Sequence, residues 1–315
     1  MRIEEWALER PFRTAAIERR SVRVLVVEIT DGSIRGRGES FAHEAVGVSV
    51  EEAFARAQSA PLHHDRERLC GELPPGPARD ALDQALWDFE AKRRGRRVWE
   101  LLGLEVAPVA TAYTVGIDAP DAMRAQAAAR ADWPLLKLKA SAENCLEQVD
   151  AVRAGAPSAR LIVDGNAAWS IDAYRTLSPL LVERGVVLLE QPLAPKDDHA
   201  LVGARPVPIC ADESLGAMDD PRALVDRYDA VNVKLPKAGG LTAALTLIQA
   251  AREAKLRVLV GCMVSTSLAI APAWIAAQYA AYADLDGPLL LGRDRTPGLT
   301  YDRWKIEAPP TALWG

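Results

Sequence analysis

The part of the chain after about residue 106 repeats one pattern: a short apolar run, a turn, and then a helical stretch rich in alanine and leucine. Runs that are apolar throughout and alternate with helices are typical of parallel strands in a sheet covered by helices. Eight repeats predict a closed barrel, with a doubly wound open sheet as the competing architecture. The predicted strands are 110–116, 135–139, 161–164, 186–190, 208–212, 230–234, 258–262 and 283–286, and helices are predicted at 121–131, 171–184, 240–254 and 268–279.

Residues 1–106 follow a different pattern, in which strands come before helices. Two β-like runs, 22–30 and 34–39, flank Asp31-Gly32, a dipeptide that favours a hairpin turn. Apolar residues at helical spacing follow at 48–57 and 77–94, and the second stretch ends in basic residues before Gly95. This order predicts an α+β unit, so we divide the chain into residues 1–106 and a barrel of residues 107–289.

The composition is that of a globular protein with a sizeable core. Hydrophobic residues make up 49% and charged residues 26% of the chain, and the formal net charge is −5 without a block of basic residues. We therefore expect no nucleic-acid partner. The acidic start does not resemble a signal peptide and no apolar run reaches about 18 residues, so we expect no membrane association and a cytoplasmic location. The four cysteines lack C-x-x-C spacing, which argues against a zinc site.

Three acidic residues end consecutive predicted strands. Asp164, Glu190 and Asp212 lie about one strand–helix repeat apart. Barrel active sites are built at the carboxyl ends of the strands, so these carboxylates are expected to converge. Any single acid here could equally be a helix cap or part of a surface ion pair, but three in phase favour a metal site. Because the ligands are oxygen atoms without histidine or cysteine, the expected ion is Mg²⁺, with Mn²⁺ as the alternative.

Lysines also stand at strand ends. Lys137 and Lys139 are two residues apart, so in a strand both face the same side. Two cations this close disfavour each other's charge, which should lower the pKa of at least one and suit it to act as a general base. A solvated edge strand is the alternative, but this run is the second of eight and therefore interior. Lys234 ends a strand across the barrel, and a base on each face of a metal-bound carboxylate predicts epimerisation through an enediolate.

These segments together resemble the enolase superfamily, muconate-lactonising subgroup. The resemblance implies that Asp164, Glu190 and Asp212 bind one Mg²⁺, that Lys139 and Lys234 are the acid/base pair, and that Lys137 is an electrostatic helper. It also implies a (β/α)7β TIM-like barrel with an α+β capping domain that the last residues, about 290–315, complete. The motifs are Lys137-Leu138-Lys139, Val163-Asp164-Gly165-Asn166, Glu190-Gln191-Pro192-Leu193, Ala211-Asp212-Glu213-Ser214, Asn232-Val233-Lys234 and Gly261-Cys262-Met263.

Within that subgroup the chain is similar to the dipeptide epimerases that act on L-Ala-D/L-Glu and related dipeptides. The resemblance implies that Asp284 and Asp286 hold the free ammonium group of the dipeptide. It also implies that Arg19 binds a glutamate side chain, although a slip of one residue would substitute Arg20. Further expected substrate contacts are Thr114, Cys262 and Met263, and residues 41–47, which include His43, are expected to form a lid.

Several other functions stay open from the sequence. An o-succinylbenzoate synthase or an N-succinylamino acid racemase of the same subgroup needs the same metal and lysines, but no pair of acids for an ammonium group. A Schiff-base aldolase that uses Lys234 and a non-catalytic binding barrel are more distant alternatives. The expected partner is a small dipeptide, and a homo-oligomer is possible.

Overall fold

The structure, a computed structural model, describes residues 1–14, 18–42, 47–61, 65–216 and 220–315 of the 315-residue chain. It contains an antiparallel sheet near the start of the chain, an eight-stranded parallel sheet, and a small sheet that includes residues near the end. We refer to the first sheet and its helices as the cap.

The cap begins with three antiparallel strands in the order β1-β2-β3. The Asp31 carboxylate closes the predicted hairpin, because its Oδ1 accepts hydrogen bonds from the backbone N–H groups of Ser33 (3.1 Å) and Ile34 (2.9 Å). The first strand was not predicted: along it only Leu8 is buried, so the alternation that reveals a strand is missing. The strands are β1 (Arg2–Arg13), β2 (Glu18–Thr30) and β3 (Arg35–Phe41).

Four cap helices follow, and the third lies between the cap sheet and the barrel. It begins with Pro77 at its first position, where a missing N–H costs nothing. It packs so closely on β3 that a Cβ added at Gly38 would stand 2.0 Å from the Ala81 carbonyl oxygen, which only glycine avoids. The helices are α1 (Val50–Ser59), α2 (Arg66–Glu72), α3 (Pro77–Arg93) and α4 (Val98–Leu101).

The parallel sheet has eight strands in sequential order, as a barrel requires. Its first and last strands are joined by the Ala112 N–H, which donates to the Ala283 carbonyl oxygen (2.8 Å), so the sheet closes and the barrel prediction is confirmed. The short strand β4 (Val109–Ala110) leads into it. The barrel strands are β5 (Tyr113–Val115), β6 (Leu135–Lys139), β7 (Arg160–Asp164), β8 (Val186–Glu190), β9 (Ile209–Ala211), β10 (Ala230–Val233), β11 (Arg257–Gly261) and β12 (Tyr282–Asp284).

Helices cover the outside of the barrel, and short 3-10 turns, Pro195–Leu201 and Pro221–Leu224, replace full helices after β8 and β9. The predicted helices match within a few residues, whereas α6 and the short helix α8 were not predicted. None of the helices among the described residues combines the length and the apolar character needed to cross a membrane. The outer helices are α5 (Pro120–Ala128), α6 (Cys145–Gly155), α7 (Ile171–Glu183), α8 (Leu235–Ala238), α9 (Leu241–Glu253) and α10 (Ser267–Ala277).

Apolar side chains fill the lower half of the barrel. Leu135, Ile162 and Leu188 belong to one buried cluster there, together with residues of β9, β10 and β11 and with Ala112, which directly precedes β5. Because side chains on one face of a strand recur every second residue, an apolar residue at the base of β6 places Lys137 and Lys139 on the same inner face above it. Because apolar side chains fill the other end of the barrel interior, the charged residues of the strands lie together at the carboxyl end.

The end of the described chain returns to the cap. Two short strands, β13 (Tyr301–Asp302) and β14 (Lys305–Ile306), pair with each other, and β14 also pairs with β4. Beyond them the Trp314 indole donates to the Gln84 carbonyl oxygen of α3 (3.0 Å), and the Arg97 guanidinium bonds to the carbonyl oxygens of Pro309, Trp314 and Gly315. Residues near the end of the chain are thus fixed to both α3 and α4.

Gly38→Ala tests the close contact between β3 and α3. The added methyl group would collide with the backbone of α3, so we expect a decrease of roughly 1–3 kcal/mol in the free energy of unfolding, measured by urea denaturation. Gly71→Ala in α2 is the matched control, because nothing lies within 4 Å of a Cβ there. We expect that control to keep or slightly raise the stability. Equal stability of the two variants would show that the contact is not tight.

Candidate active site

The predicted acidic residues lie side by side at the carboxyl end of the barrel strands. In the strand register Lys139 lies opposite Asp164, and Asp164 lies opposite Glu190. Asp212 directly follows β9, the next strand. All three carboxylates are buried. The structure therefore brings together the residues that the sequence predicted as a metal site.

Each of these carboxylates contacts a lysine. Lys139 Nζ lies 2.5 Å from Asp164 Oδ2, and Lys234 Nζ lies 2.5 Å from Asp212 Oδ2. Lys137 Nζ is central, since it lies 2.8 Å from Glu190 Oε2 and 3.1 Å from Asp164 Oδ2. Because β6 and β10 are four strands apart in an eight-stranded barrel, Lys139 and Lys234 approach the carboxylates from opposite sides.

The protonation of Lys137 is controlled by the carboxylates around it. Burial favours its neutral form, but Asp284, Glu190 and Asp164 outweigh burial and hold its pKa well above the usual value. The lowering of the pKa that was expected for at least one of the two lysines is therefore not found at Lys137. Asp164 responds in turn: burial alone would raise its pKa, but the charges of Lys139 and Lys137 lower it to about 2.

The three carboxylates suit a hard divalent cation. Their donors are all oxygen atoms, and Glu190 Oε2 is fully buried yet accepts no hydrogen bond within the described part of the chain, although Lys137 lies within ion-pair distance. Each of the three acids contacts a lysine, and among the described residues no three potential ligand side chains converge on one point. The donor chemistry fits Mg²⁺ or Mn²⁺, for which Asp164, Glu190 and Asp212 would be the ligands.

A polar network that the sequence did not reveal holds these acids in place. Gln191 has a positive φ of 30°, and its Oε1 accepts hydrogen bonds from the backbone N–H groups of Asp212 (2.8 Å) and Ser214 (2.9 Å). The Asn232 amide donates to Glu190 Oε1 (2.8 Å), and Lys237 Nζ lies 2.9 Å from Asp212 Oδ1. Gln191 and Asn232 belong to motifs named above, but a motif does not show which atoms a side chain contacts.

A second acidic pair stands at the end of β12, beside β5. The Thr114 hydroxyl donates to Asp284 Oδ1 (3.1 Å), and the Thr114 backbone N–H donates to Asp286 Oδ2 (2.6 Å). Burial, followed by the nearby Asp284 charge, raises the pKa of Asp286 to about 7. Lys137 Nζ lies 2.9 Å from Asp284 Oδ2 and so connects this pair to the predicted metal site. Thr114 therefore positions both acids.

A cavity of about 480 Å³ opens above these charges, and residues of the cap form part of its wall. Arg19 and Phe41 both line it, and the Arg19 guanidinium lies 4.8 Å from the centre of the Phe41 ring. Arg19 Nε is buried and has no hydrogen-bond partner among the residues described. The Arg20 side chain, in contrast, is 77% exposed and pairs with Glu18. The structure thus places Arg19 rather than Arg20 at the cavity.

The remaining predicted contacts are distributed over the barrel side of the same cavity. Cys262 and Met263 line it, as do Lys139 and Lys234. His43 lies outside the described residues, as does most of the predicted lid. Apart from Arg20, the other predicted site residues line this cavity or contact a residue that lines it.

Comparison with known proteins identifies the family of the chain. A family model for the mandelate racemase / muconate lactonizing enzyme N-terminal domain matches residues 1–103, and one for the enolase C-terminal domain-like family matches residues 122–305. The chain is 40% identical over 312 residues to the L-Ala-D/L-Glu epimerase of Escherichia coli (strain K12), covering 96% of this chain and 97% of that protein. It is 36% identical over 299 residues to the N-acetyl-D-glutamate racemase of a Pseudoalteromonas species, covering 93% and 95%.

A solved structure resembles the whole chain. It is the crystal structure of an enolase family member from Agrobacterium tumefaciens with homology to dipeptide epimerases, with bound sodium and L-Ala-L-Glu. Its TM-score is 0.96 at 41% identity, and the match covers 100% of this chain and 98% of that one. The chain therefore belongs to the mandelate racemase / muconate lactonizing enzyme family of the enolase superfamily, and it is an isomerase of the epimerase type related to the dipeptide epimerases.

Proposed function

We propose that the enzyme removes and returns the α-proton of the C-terminal residue of a dipeptide, through an enediolate, with L-Ala-D/L-Glu as the model substrate. The observation that carries this proposal is the position of Lys139 and Lys234 on opposite sides of one set of buried carboxylates. Epimerisation needs a base on one face of the α-carbon and an acid on the other. Two lysines on opposite barrel strands satisfy that requirement.

The three lysines have different roles in the reaction, and the surroundings of each determine its role. Lys139 takes the proton from one epimer and Lys234 returns a proton on the opposite face, and the roles reverse in the other direction. Lys137 stays charged because three carboxylates surround it, so it serves as a fixed positive charge and not as a base. When bound by Asp164, Glu190 and Asp212, one Mg²⁺ per chain would add positive charge beside the substrate carboxylate and make the α-proton more acidic.

The ends of the substrate have matching groups on two sides of the cavity. Asp284 and Asp286, held by Thr114, would bind the ammonium group of the dipeptide. Arg19 would bind an acidic C-terminal side chain, because its planar guanidinium meets a carboxylate in two hydrogen bonds. Cys262 and Met263 would contact the substrate from the barrel side. The cytoplasmic location and a homo-oligomeric state stay predictions.

An N-acylamino acid racemase is the second candidate. The similarity to an N-acetyl-D-glutamate racemase favours it. Such a substrate has the same α-proton and carboxylate but no ammonium group, so it would use both lysines and leave Asp284 and Asp286 without a charged partner. The acidic pair therefore separates the two candidates. Within the described part of the chain, no feature favours o-succinylbenzoate synthesis or a Schiff-base aldolase.

Lys139→Ala and Lys234→Ala test the two-base reaction in heavy water with Mg²⁺ and L-Ala-L-Glu or L-Ala-D-Glu. Each substitution should lower epimerisation by about 10²–10⁴-fold, because one acid/base group is lost. Each variant should still exchange the α-proton of the one epimer that the remaining lysine faces, as measured by NMR. Loss of activity in neither variant, or no deuterium uptake by the wild type with any dipeptide, would overturn the proposal.

Asp286→Asn distinguishes the dipeptide from the N-acyl substrate. Removing the negative charge should lower kcat/KM for L-Ala-L-Glu by about 10²-fold, since an ammonium group loses a charged hydrogen-bond partner in a buried site. Racemisation of N-acetylglutamate by the same variant should change little. If the wild type racemises N-acetylglutamate far faster than it epimerises dipeptides, the second candidate becomes the function.

Arg19→Met tests the side-chain preference. We expect KM for L-Ala-L-Glu to rise by about 10–100-fold, because a charge-assisted pair of hydrogen bonds is lost. KM for L-Ala-L-Leu should stay near its wild-type value. Arg20→Met is the matched control and should leave both values unchanged, since Arg20 points into solvent. Equal effects of the two substitutions would contradict the role of Arg19.

A further inference from the structure

Glu39, in cap strand β3, is a completely buried carboxylate that the proposed reaction does not use. Its Oε1 accepts a hydrogen bond from the Thr266 backbone N–H (2.9 Å), and its Oε2 accepts one from the Thr266 hydroxyl (2.5 Å). Arg295 adds two more, from Nε (3.0 Å) and Nη2 (2.5 Å), to Oε2. One side chain of the cap thus contacts Thr266 of the barrel and Arg295 of the segment near the end of the chain.

A charge in this position is costly to bury. A carboxylate away from water is tolerated only when it is paired and hydrogen-bonded, and an apolar side chain of similar size is often at least as stabilising. Stability therefore gives little reason for glutamate here. Hydrogen bonds are directional, so the carboxylate fixes the positions of Thr266 and Arg295 relative to β3.

Glu39 joins strand β3 to the segment that contains Thr266, and these two segments lead to opposite walls of the cavity. On the cap side β3 continues for two residues from Glu39 to Phe41, which lines the cavity. On the barrel side Thr266 comes three residues after Met263, which also lines it. Met263 packs against the buried apolar cluster that contains Phe41, so the two walls share one apolar cluster. The carboxylate is thus close to the line along which the cap meets the barrel.

Both ends of this connection are themselves held in place. The β3 backbone lies directly on α3, where Gly38 allows close contact. On the other end Thr266 caps α10 through its hydroxyl, which accepts from the Leu268 N–H (3.3 Å). Arg295 also lies 2.6 Å from Glu4 Oε2 on β1. A displacement of the Glu39 carboxylate would therefore move one wall relative to the other.

We propose that Glu39 is a positioning residue that fixes Phe41 of the cap against Met263 of the barrel and so determines how tightly the cavity holds its substrate. It does not contact the acid/base lysines and is not catalytic. The effect on substrate rests on the proposed function, whereas the connection between the walls does not.

Glu39→Gln tests this role, since glutamine keeps the size of the side chain but removes the charge that pairs with Arg295. We expect KM for L-Ala-L-Glu to rise by about 10-fold, the effect of losing one charge-assisted contact, with kcat within about 2-fold of the wild type. Glu4→Gln is the matched control: it removes the other carboxylate on Arg295 but leaves Thr266 bound. Its KM should stay within about 2-fold of the wild-type value. A fall in kcat at constant KM in Glu39→Gln, or an equal KM change in Glu4→Gln, would overturn the proposal.

Two measurements keep the test decisive if Glu39→Gln does not fold or if dipeptides are not the substrate. Thr266→Val should raise KM as Glu39→Gln does, while Thr266→Ser, which keeps the hydroxyl, should restore the wild-type value. Hydrogen exchange of the protein without substrate should be faster at residues 262–266 in Thr266→Val than in Thr266→Ser. Equal exchange would overturn the positioning role. If exchange responds as expected but the wild type turns over no dipeptide, the positioning role stands and the proposed function fails.

Discussion

The pairing of buried lysines with buried carboxylates is the interaction on which this site depends. Removing one partner of such a pair leaves an uncompensated charge away from water, which is far more costly than the pair itself. Lys137 contacts Asp164, Glu190 and Asp284, so it connects the predicted metal ligands to the predicted ammonium site. The ligands, the acid/base groups and the substrate-binding acids therefore form one electrostatic unit, and a change in any member alters the ionisation of the others.

The sequence predicted the barrel and its charged end well because both follow from local pattern. Strand β6 was predicted with its observed bounds, since its apolar run is short and ends in charge. The sequence could not show how segments that are far apart in the chain are placed relative to each other. Arg19 and Arg20 are adjacent in a strand, so their side chains face opposite sides. Which of them faces the cavity depends on how β2 pairs with β1, where Phe12 lies opposite Arg19. The role of Gln191 likewise depends on a backbone conformation that composition does not reveal.

The roles of the polar residues on α3 were the hardest feature to predict from the sequence. A helix with charged residues between its apolar positions is expected to be half exposed, yet this one is buried along nearly its whole length. Its charges serve as connectors: Arg79 donates to the carbonyl oxygens of Ala238 and Gly239, and Asp83 accepts from Thr242. Since these partners are more than 150 residues away in the chain, no local pattern could identify them.

The burial of α3 has a consequence for how the molecule unfolds. Its apolar residues are divided between two cores, because Leu82 and Phe89 pack in the core of the cap whereas Trp87 and Ala91 pack in the core of the barrel. Neither core can be exposed to water without disrupting the helix that completes the other. Cap and barrel should therefore lose their structure in one cooperative transition, despite a chain length at which separate domains often melt independently.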